Sequence, residues 1–540
     1  MKIIRLCNKY IWKYKGKFIV YILINLFSGA IGIIIPLISS QLVNNLMYGN
    51  KMEIIIKYCM VFSVLTIMNI LMGFIISYLY IKIQTVAGYI FNKDVIQYIQ
   101  KVSYLFLGKQ DIVYLNQRIN NDCNNLIIFI LDIVNNVLLN GLTIIFIVVL
   151  FWNISFKLTC ILFLLVVIYF FVYAKFKKIL YNINFEVKES QSHFFSRLNE
   201  QLSNIKLIKL YSLNRFFLGN LEESFRNLMK KLISSQKISY FYSCFDSGIG
   251  LLTQISIFVI GGGLVIKGDI TIGIFIVISN YYSMLLNSIR YFFNLGKKYQ
   301  DNLVSYNRIM ELLNMRQEIN GKYKMEKINT INIKDLEFGY EEDYLIFRKF
   351  NYCFQKGKIY GIKGKNGTGK TTLLYLIIGL FINDYDGKIE INEKDIKELD
   401  LYAMRCSVLG ITEQEPNLIN TTLEKNILLH NDFNNVKLKE YLDMLGLEGY
   451  LNNKEKGMET IINDKSENIS GGEKQKISIL RQLVMNPEVM MFDEPTSALD
   501  NISKGKFIEH LNKIREHKII IIISHDNSLD ELYDEILELN

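Results

Sequence analysis

The sequence predicts a multidomain chain: an all-α transmembrane domain of six helices, then an α/β domain of the P-loop type. Three observations carry this reading. Half of the 540 residues are hydrophobic and only 21% are charged, which is more apolar than is usual for a soluble chain of this length. The charge is also split. Residues 1–327 hold 35 Lys and Arg against 16 Asp and Glu, a net of +19; subtracting from the totals of 61 and 52 leaves 26 against 36, a net of −10, for residues 328–540. Finally, a glycine-rich loop ending in Gly369-Lys370-Thr371 follows a short apolar strand in the acidic part.

The domains expected from these patterns are 1–310 in the membrane, a linker at 311–327, and 328–540 as the second domain. Because the basic part is also the apolar part, its Lys and Arg mark membrane loops rather than a nucleic-acid footprint. Composition excludes disordered, collagen-like and disulfide-scaffold classes. The chain has only four prolines, Pro36, Pro416, Pro487 and Pro495, so long unbroken helices are permitted. Seven cysteines lie scattered without CxxC spacing, which argues against a metal site or disulfide framework. No His stands near Cys7, so an N-terminal cysteine protease is rejected.

Six apolar stretches run roughly over 18–43, 54–80, 126–150, 155–175, 244–266 and 271–293. Each is near or above the ~20 residues that cross a bilayer as a helix. Lys2, Arg5, Lys9, Lys13, Lys15 and Lys17 precede the first span with no acid among them, which predicts a cytoplasmic N-terminus. The short connections at 44–53, 151–154 and 267–270 then face outward, and the long ones at 81–125 and 176–243 face inward. An even number of spans returns residues 294–540 to the cytoplasm. Asp132, Asn135, Asn136, Asn140, Asp246, Gln254, Asn287 and Arg290 interrupt the spans. A mid-membrane charge costs roughly 2.5–3.5 kcal/mol on insertion scales, so these residues are candidates for a polar inner vestibule or for solvation at headgroup level.

In the second domain, the strand Lys358–Ile362 runs into Gly364-Lys365-Asn366-Gly367-Thr368-Gly369-Lys370-Thr371-Thr372. This is G-x-x-x-x-G-K-T between a strand and a helix. Its glycines let backbone N–H groups curl around phosphate, and the helix N-terminus faces the same anion. Lys370 is placed for the β- and γ-phosphates and Thr371 for Mg²⁺. A second apolar strand, Val489–Phe492, delivers Asp493 and Glu494: the first suits Mg²⁺, the second can polarise water. A third, Ile519–Ile523, ends in Ser524-His525, where His525 can hold the γ-phosphate. Between them Ile469-Ser470-Gly471-Gly472-Glu473 opens a basic helix, a second anion cradle. Two cradles in one chain suggest a nucleotide sandwiched between two copies.

Together these residues resemble the ATP-binding cassette (ABC) superfamily, and with the six spans the chain resembles an exporter-type half-transporter. The resemblance implies an α-helical subdomain in the P-loop cassette and ATP with Mg²⁺ as cofactors. It assigns Tyr340 to stacking on adenine, Gln414 to Mg²⁺ and to sensing the membrane domain, and Ser497 to Asp500 to communication between cassettes. Ser470, Gly471 and Gly472 become the signature that closes on a partner's γ-phosphate. Coupling helices are implied near 111–118 and 203–212. Two departures stand out: the signature reads Ile469 and Glu473 where Leu and Gln are usual, and Asp464-Lys465-Ser466 replaces Glu-Arg-Gly.

The function expected is ATP-driven export of a drug, lipid or peptide across the cytoplasmic membrane by a dimer. The partners implied are membrane lipid and a second half-transporter, a homodimer being favoured over a heterodimer. The alternatives are an ATP-gated channel or sensor on the same scaffold, or one half of a heterodimeric exporter.

Overall fold

The structure is a computed structural model that describes residues 2–48, 52–108, 115–116, 118–154, 156–341, 344–429, 435–452, 454–463 and 469–539; some side chains within 157–192, and those of 246, 297, 300 and 435, also fall outside the description. The chain forms two compact units: Met1–Gln97 with Val113–Asn314, and Tyr98–Ile112 with Met315–Asn540.

The first unit is helical. It contains α1 (Lys2–Ile11), α2 (Lys15–Met47), α3 (Met52–Ile99), α4 (Cys123–Ile154), α5 (Phe156–Ser203), α6 (Asn214–Ile266) and α7 (Ile272–Leu313). α1 buries Ile3, Cys7, Tyr10 and Ile11, one stripe at helical spacing, and Tyr10 stacks on Phe91 with ring centroids 4.4 Å apart. α3 and α5 have 48 residues and α6 has 53. At 1.5 Å per residue these are roughly 70–80 Å long, more than twice the ~30 Å of hydrocarbon. The connections expected at 81–125 and 176–243 are therefore largely continuations of the membrane helices.

Among the described residues five helical segments are long and apolar enough to cross a membrane: Lys2–Met47, Met52–Ile99, Arg118–Ile154, Asn214–Ile266 and Ile272–Leu313. The remaining expected span, 155–175, falls on the start of α5; residue 155 and several side chains of that stretch lie outside the described residues. α5 and α6 run antiparallel, with Glu186 to Lys231 at 2.6 Å, Ser235 to Asn184 at 3.2 Å, and Phe176 on Tyr242 at 5.6 Å between centroids. α7 joins α2 and α4: Tyr281 Oη donates to the Ile33 carbonyl at 2.5 Å, and Lys298 pairs with Asp132 at 2.7 Å.

That pairing bears on the vestibule. Asp132 is compensated by Lys298 and also accepts from Asn136 at 3.4 Å; Asn140 donates to the Asn136 carbonyl at 2.8 Å, and Arg290 to Asn287 at 3.1 Å. The Asp246 side chain lies outside the described residues.

The second unit contains two principal sheets. Strands β1 (Thr330–Phe338), β2 (Phe347–Gln355) and β4 (Asp386–Ile391) form an antiparallel sheet in the order β2-β1-β4, extended by Lys394–Asp395. The other is parallel: β3 (Ile359–Gly364), β5 (Leu409–Thr412), β6 (Val489–Asp493), β7 (Ile519–Ile523) and β8 (Glu535–Leu539), in the order β8-β3-β7-β6-β5. β7 is five isoleucines, all buried, the continuous β-branched run that a strand covered on both faces requires. Register aligns Ile362 with Ile523 and Ile523 with Asp493. The three chemistry-bearing strands therefore end together, at the carboxyl edge where open parallel sheets bind ligands. Helices α8 (Lys370–Ile377), α9 (Gly471–Met485) and α10 (Asn501–Ile514) flank the sheet.

The last two residues of α3 and the segment that follows it belong to this second unit. Val102 bridges to Gln317, Ser103 Oγ donates to Asp384 at 2.9 Å, Tyr98 Oη donates to the Met315 carbonyl at 2.9 Å, and Tyr104 sits 6.2 Å from the Phe381 ring. Most of the implied coupling helix 111–118 lies outside the described residues. Within 203–212 the chain forms a short helix, Ile205–Tyr211, closed by Ser212 in the left-handed region.

Candidate nucleotide-binding and hydrolysis site

The phosphate loop is built where β3 turns into α8. Gly367 and Gly369 sit at φ +87° and +91°, conformations that favour glycine. At Gly369 a Cβ would also meet Ile346 Cγ2 at 2.5 Å and Phe347 Cζ at 3.0 Å. Asn366 and Gly367 form the exposed lip of the loop. Lys370 Nζ donates to the carbonyls of Gly364 at 2.8 Å and Lys365 at 3.0 Å, so its charge lies against the loop in reach of an arriving phosphate.

The decisive geometry joins α8 to β6. Thr371 Oγ1 donates to Asp493 Oδ2 at 2.6 Å across 122 residues of sequence. Asp493 is buried; burial pushes its carboxyl above the usual range, the Thr371 hydroxyl pulls it down, and neighbouring Glu494 adds to the rise. A buried carboxylate beside a hydroxyl suits a hard divalent ion with oxygen ligands. Thr371 and Asp493 can hold Mg²⁺, which when bound would offset phosphate charge. Among the described residues no cluster of three or more His, Cys, Asp or Glu forms a metal centre; a nucleotide-borne Mg²⁺ needs only one or two protein carboxylates.

Glu494 sits at φ +50°, a strained conformation for a non-glycine residue. Its surroundings hold it there. Its amide donates to the Ile523 carbonyl at 2.9 Å, and its carbonyl accepts from Gln475 Nε2 at 2.6 Å. Ser497 Oγ lies 3.0 Å from the same carbonyl and 2.9 Å from Gln475 Oε1. The carboxylate points toward Gln414 Nε2 at 3.4 Å and His525 Nε2 at 3.8 Å. Gln414, Glu494 and His525 thus converge from three elements. Gln475 and Ser497, which sequence reasoning did not single out as supports for Glu494, are the scaffold behind it. A polar residue at a buried helical position, as Gln475 is, was the available signal.

Tyr340 is 41% exposed, its ring edge-on to Phe338 at 5.3 Å and Phe381 at 5.6 Å. Its hydroxyl lies 3.1 Å from Thr372 Oγ1, which anchors an accessible aromatic face beside the phosphate loop. Asp500 caps α10, accepting from Ser503 N at 2.8 Å; bonds from the Ser503 amide and hydroxyl hold its carboxyl below the usual range.

The signature segment opens α9 through a reciprocal cap. Glu473 N donates to Ser470 Oγ at 3.2 Å, and Glu473 Oε2 accepts from Ser470 N at 2.7 Å and from Ser470 Oγ at 2.9 Å. The unusual carboxylate therefore turns back onto the serine of its own motif. Gly471 and Gly472 leave the backbone beside it open, the nearest atom to a Cβ at Gly472 being Ala498 Cβ at 3.6 Å. Asp464-Lys465-Ser466 lies outside the described residues.

The family model of the ABC transporter transmembrane region matches residues 18–289, and the model named ABC transporter matches residues 347–497. The chain belongs to the ABC transporter family. It is a half-transporter of the exporter type, with one membrane domain and one cassette, and its activity is ATP hydrolysis coupled to transport. A putative export ATP-binding/permease protein of Rickettsia typhi is 25% identical over 100% of this chain and 94% of its own length. An ATP-dependent lipid A-core flippase of Syntrophus aciditrophicus is 26% identical over 82% and 74%. The alpha-hemolysin translocation ATP-binding protein of Escherichia coli is 31% identical over 52% and 40%. The fold matches a bacterial Atm1-family ABC exporter with ATP bound, with a TM-score of 0.85, 18% identity, and coverage of 97% and 93% of the two chains.

Proposed function

We propose that this half-transporter works as a dimer in the cytoplasmic membrane, N-terminus and cassette inside, and exports an amphiphile at the expense of ATP·Mg²⁺. The meeting of Thr371 with Asp493, with Glu494 at the next position, is the observation that carries the hydrolytic assignment. In this reading Lys370 and the loop amides bind the phosphates, Glu494 accepts the proton of the attacking water, and His525 holds the γ-phosphate in line. Tyr340 stacks on the base, a contact worth about 1–3 kcal/mol. Gln414 links Glu494 to the membrane domain's state. Ser470, Gly471 and Gly472 complete the partner's site, and Asp500 lies in the loop between cassettes.

A lipid cargo is favoured over a drug or peptide, because the flippase relative aligns across most of both chains and the hemolysin translocator across only half of this one. The test is ATP-dependent movement of a labelled lipid in proteoliposomes of the purified chain. Transport by the chain alone supports a homodimer. Transport only after a second half-transporter is added supports a heterodimer, for which the altered residue Glu473 is the specific observation.

A further inference from the structure

We infer that the groove between α5 and α6 holds one anionic phospholipid, its headgroup on Lys175 and Lys237 and an acyl chain against Phe176, Phe241 and Phe245. These residues, with Ile179 and Ile238, line a cavity of about 690 Å³, inside the range of about 300–1,000 Å³ typical of ligand sites. The walls are apolar, and in the single chain Phe241 and Phe245 are 58% and 44% exposed. Phe176 lies 6.3 Å from the Phe241 ring and 5.7 Å from that of Phe245, so the rings form one continuous surface.

The cations are placed for a headgroup. Lys175 is the first charge after the apolar run 158–174 of α5, and Lys237 is the last before the apolar start of the membrane part of α6. Because the helices are antiparallel, with Asn184 opposite Ser235, both lysines lie at the same end of the spans. Both are exposed, and neither has a carboxylate partner among the described residues. Lys231, one helical turn and a half away, is instead paired with Glu186. Lysines lining an aromatic trough, with no carboxylate partner among the described residues, favour an amphiphile carrying negative charge, and basic pockets between helices on the cytoplasmic side take such headgroups. The cytoplasmic placement rests on the orientation given under Proposed function.

Native mass spectrometry of the full-length chain, released from nanodiscs of mixed phosphatidylglycerol and phosphatidylcholine, tests this. The expected result is one retained phosphatidylglycerol per chain, still bound after ATP and Mg²⁺ are added. Lys175→Gln with Lys237→Gln should cut retention roughly ten- to thirtyfold at about a factor of five per lysine, and Phe176→Leu with Phe241→Ala should also cut it. Lys13→Gln with Lys15→Gln, a basic pair outside the groove, should leave it unchanged. Equal loss in both lysine pairs, equal retention of phosphatidylcholine, or release on ATP addition would overturn the proposal; release would make the occupant cargo. Variants are compared at matched melting temperature, and Arg replacements at both lysines should restore retention. Bound lipid is read without turnover, so this result and the transport test fail independently.

Discussion

Glu473→Gln tests how the cap at the signature shapes the catalytic cycle. In a closed dimer the Ser470 hydroxyl would donate to a γ-phosphate oxygen at about 2.7 Å. Glu473 Oε2 accepts that same hydroxyl at 2.9 Å, so the carboxylate would lie within about 5.6 Å of the phosphate oxygen. Two unit charges at that distance repel by about 3 kcal/mol at an effective dielectric of 20, and salt reduces this further. The serine also has one proton for two acceptors. Glutamine retains a side-chain oxygen for the Ser470 amide, as capping boxes accept Glu or Gln, and gives up only about 0.3–1 kcal/mol of charge–dipole interaction. The net expectation is ATP closure favoured by about 1.5–2 kcal/mol, a drop of roughly ten- to thirtyfold in the ATP concentration at half-maximal hydrolysis. The assay is ATPase against ATP concentration at low and high salt, with the wild-type value falling as salt rises. An unchanged or higher half-maximal concentration in Glu473→Gln would refute the reasoning.

Three further outcomes follow from the same geometry. Gln475→Ala removes the donor behind Glu494 and should lower kcat about tenfold while ATP binding, read by fluorescent-nucleotide titration, stays put. Phe381→Ala, in a side chain 2% exposed that stacks on Phe338 at 5.0 Å and supports Tyr340, should cost about 3–5 kcal/mol of stability, and Phe381→Leu should weaken nucleotide binding without unfolding. Lys518 is buried against the Asn486 and Pro487 carbonyls, and burial lowers it to about 8, with Glu488 opposing and Lys356 adding to the fall. Its folded value lies below its unfolded one, so its destabilisation is complete below pH 8 and fades as pH rises toward ~10.4, a span of about 3 kcal/mol. Lys518→Met should flatten the rise in melting temperature between pH 8 and 10.

The parts of the molecule legible in sequence are those where local chemistry dictates local form. Gly-rich turns with fixed spacing, apolar strands ending in Asp493-Glu494 and Ser524-His525, and runs of about 20 apolar residues each point to one structure. What stayed hidden depends on tertiary placement. Strand order is set by pairings between segments far apart in the chain, such as Tyr360 with Glu535 and Ile359 with Ile520, which no window of sequence contains. The length of α3, α5 and α6 was concealed because their polar halves lack the apolar signal of the membrane halves. Residues 98–108 read as part of a membrane-domain loop, yet Val102, Ser103 and Tyr104 pack into the cassette unit. The direction of Glu473 was undetermined because Glu and Gln both fit a helix N-terminus; only the bonds to Ser470 decide it.

The measurement that tests the central claim most directly is steady-state ATPase of Glu494→Gln beside ATP retention by the same protein in lipid nanodiscs. If Glu494 accepts the proton of the attacking water, hydrolysis should fall by about 10²–10⁴ while ATP remains bound and trapped. Wild-type hydrolysis by Glu494→Gln, or loss of ATP binding along with activity, would contradict the account.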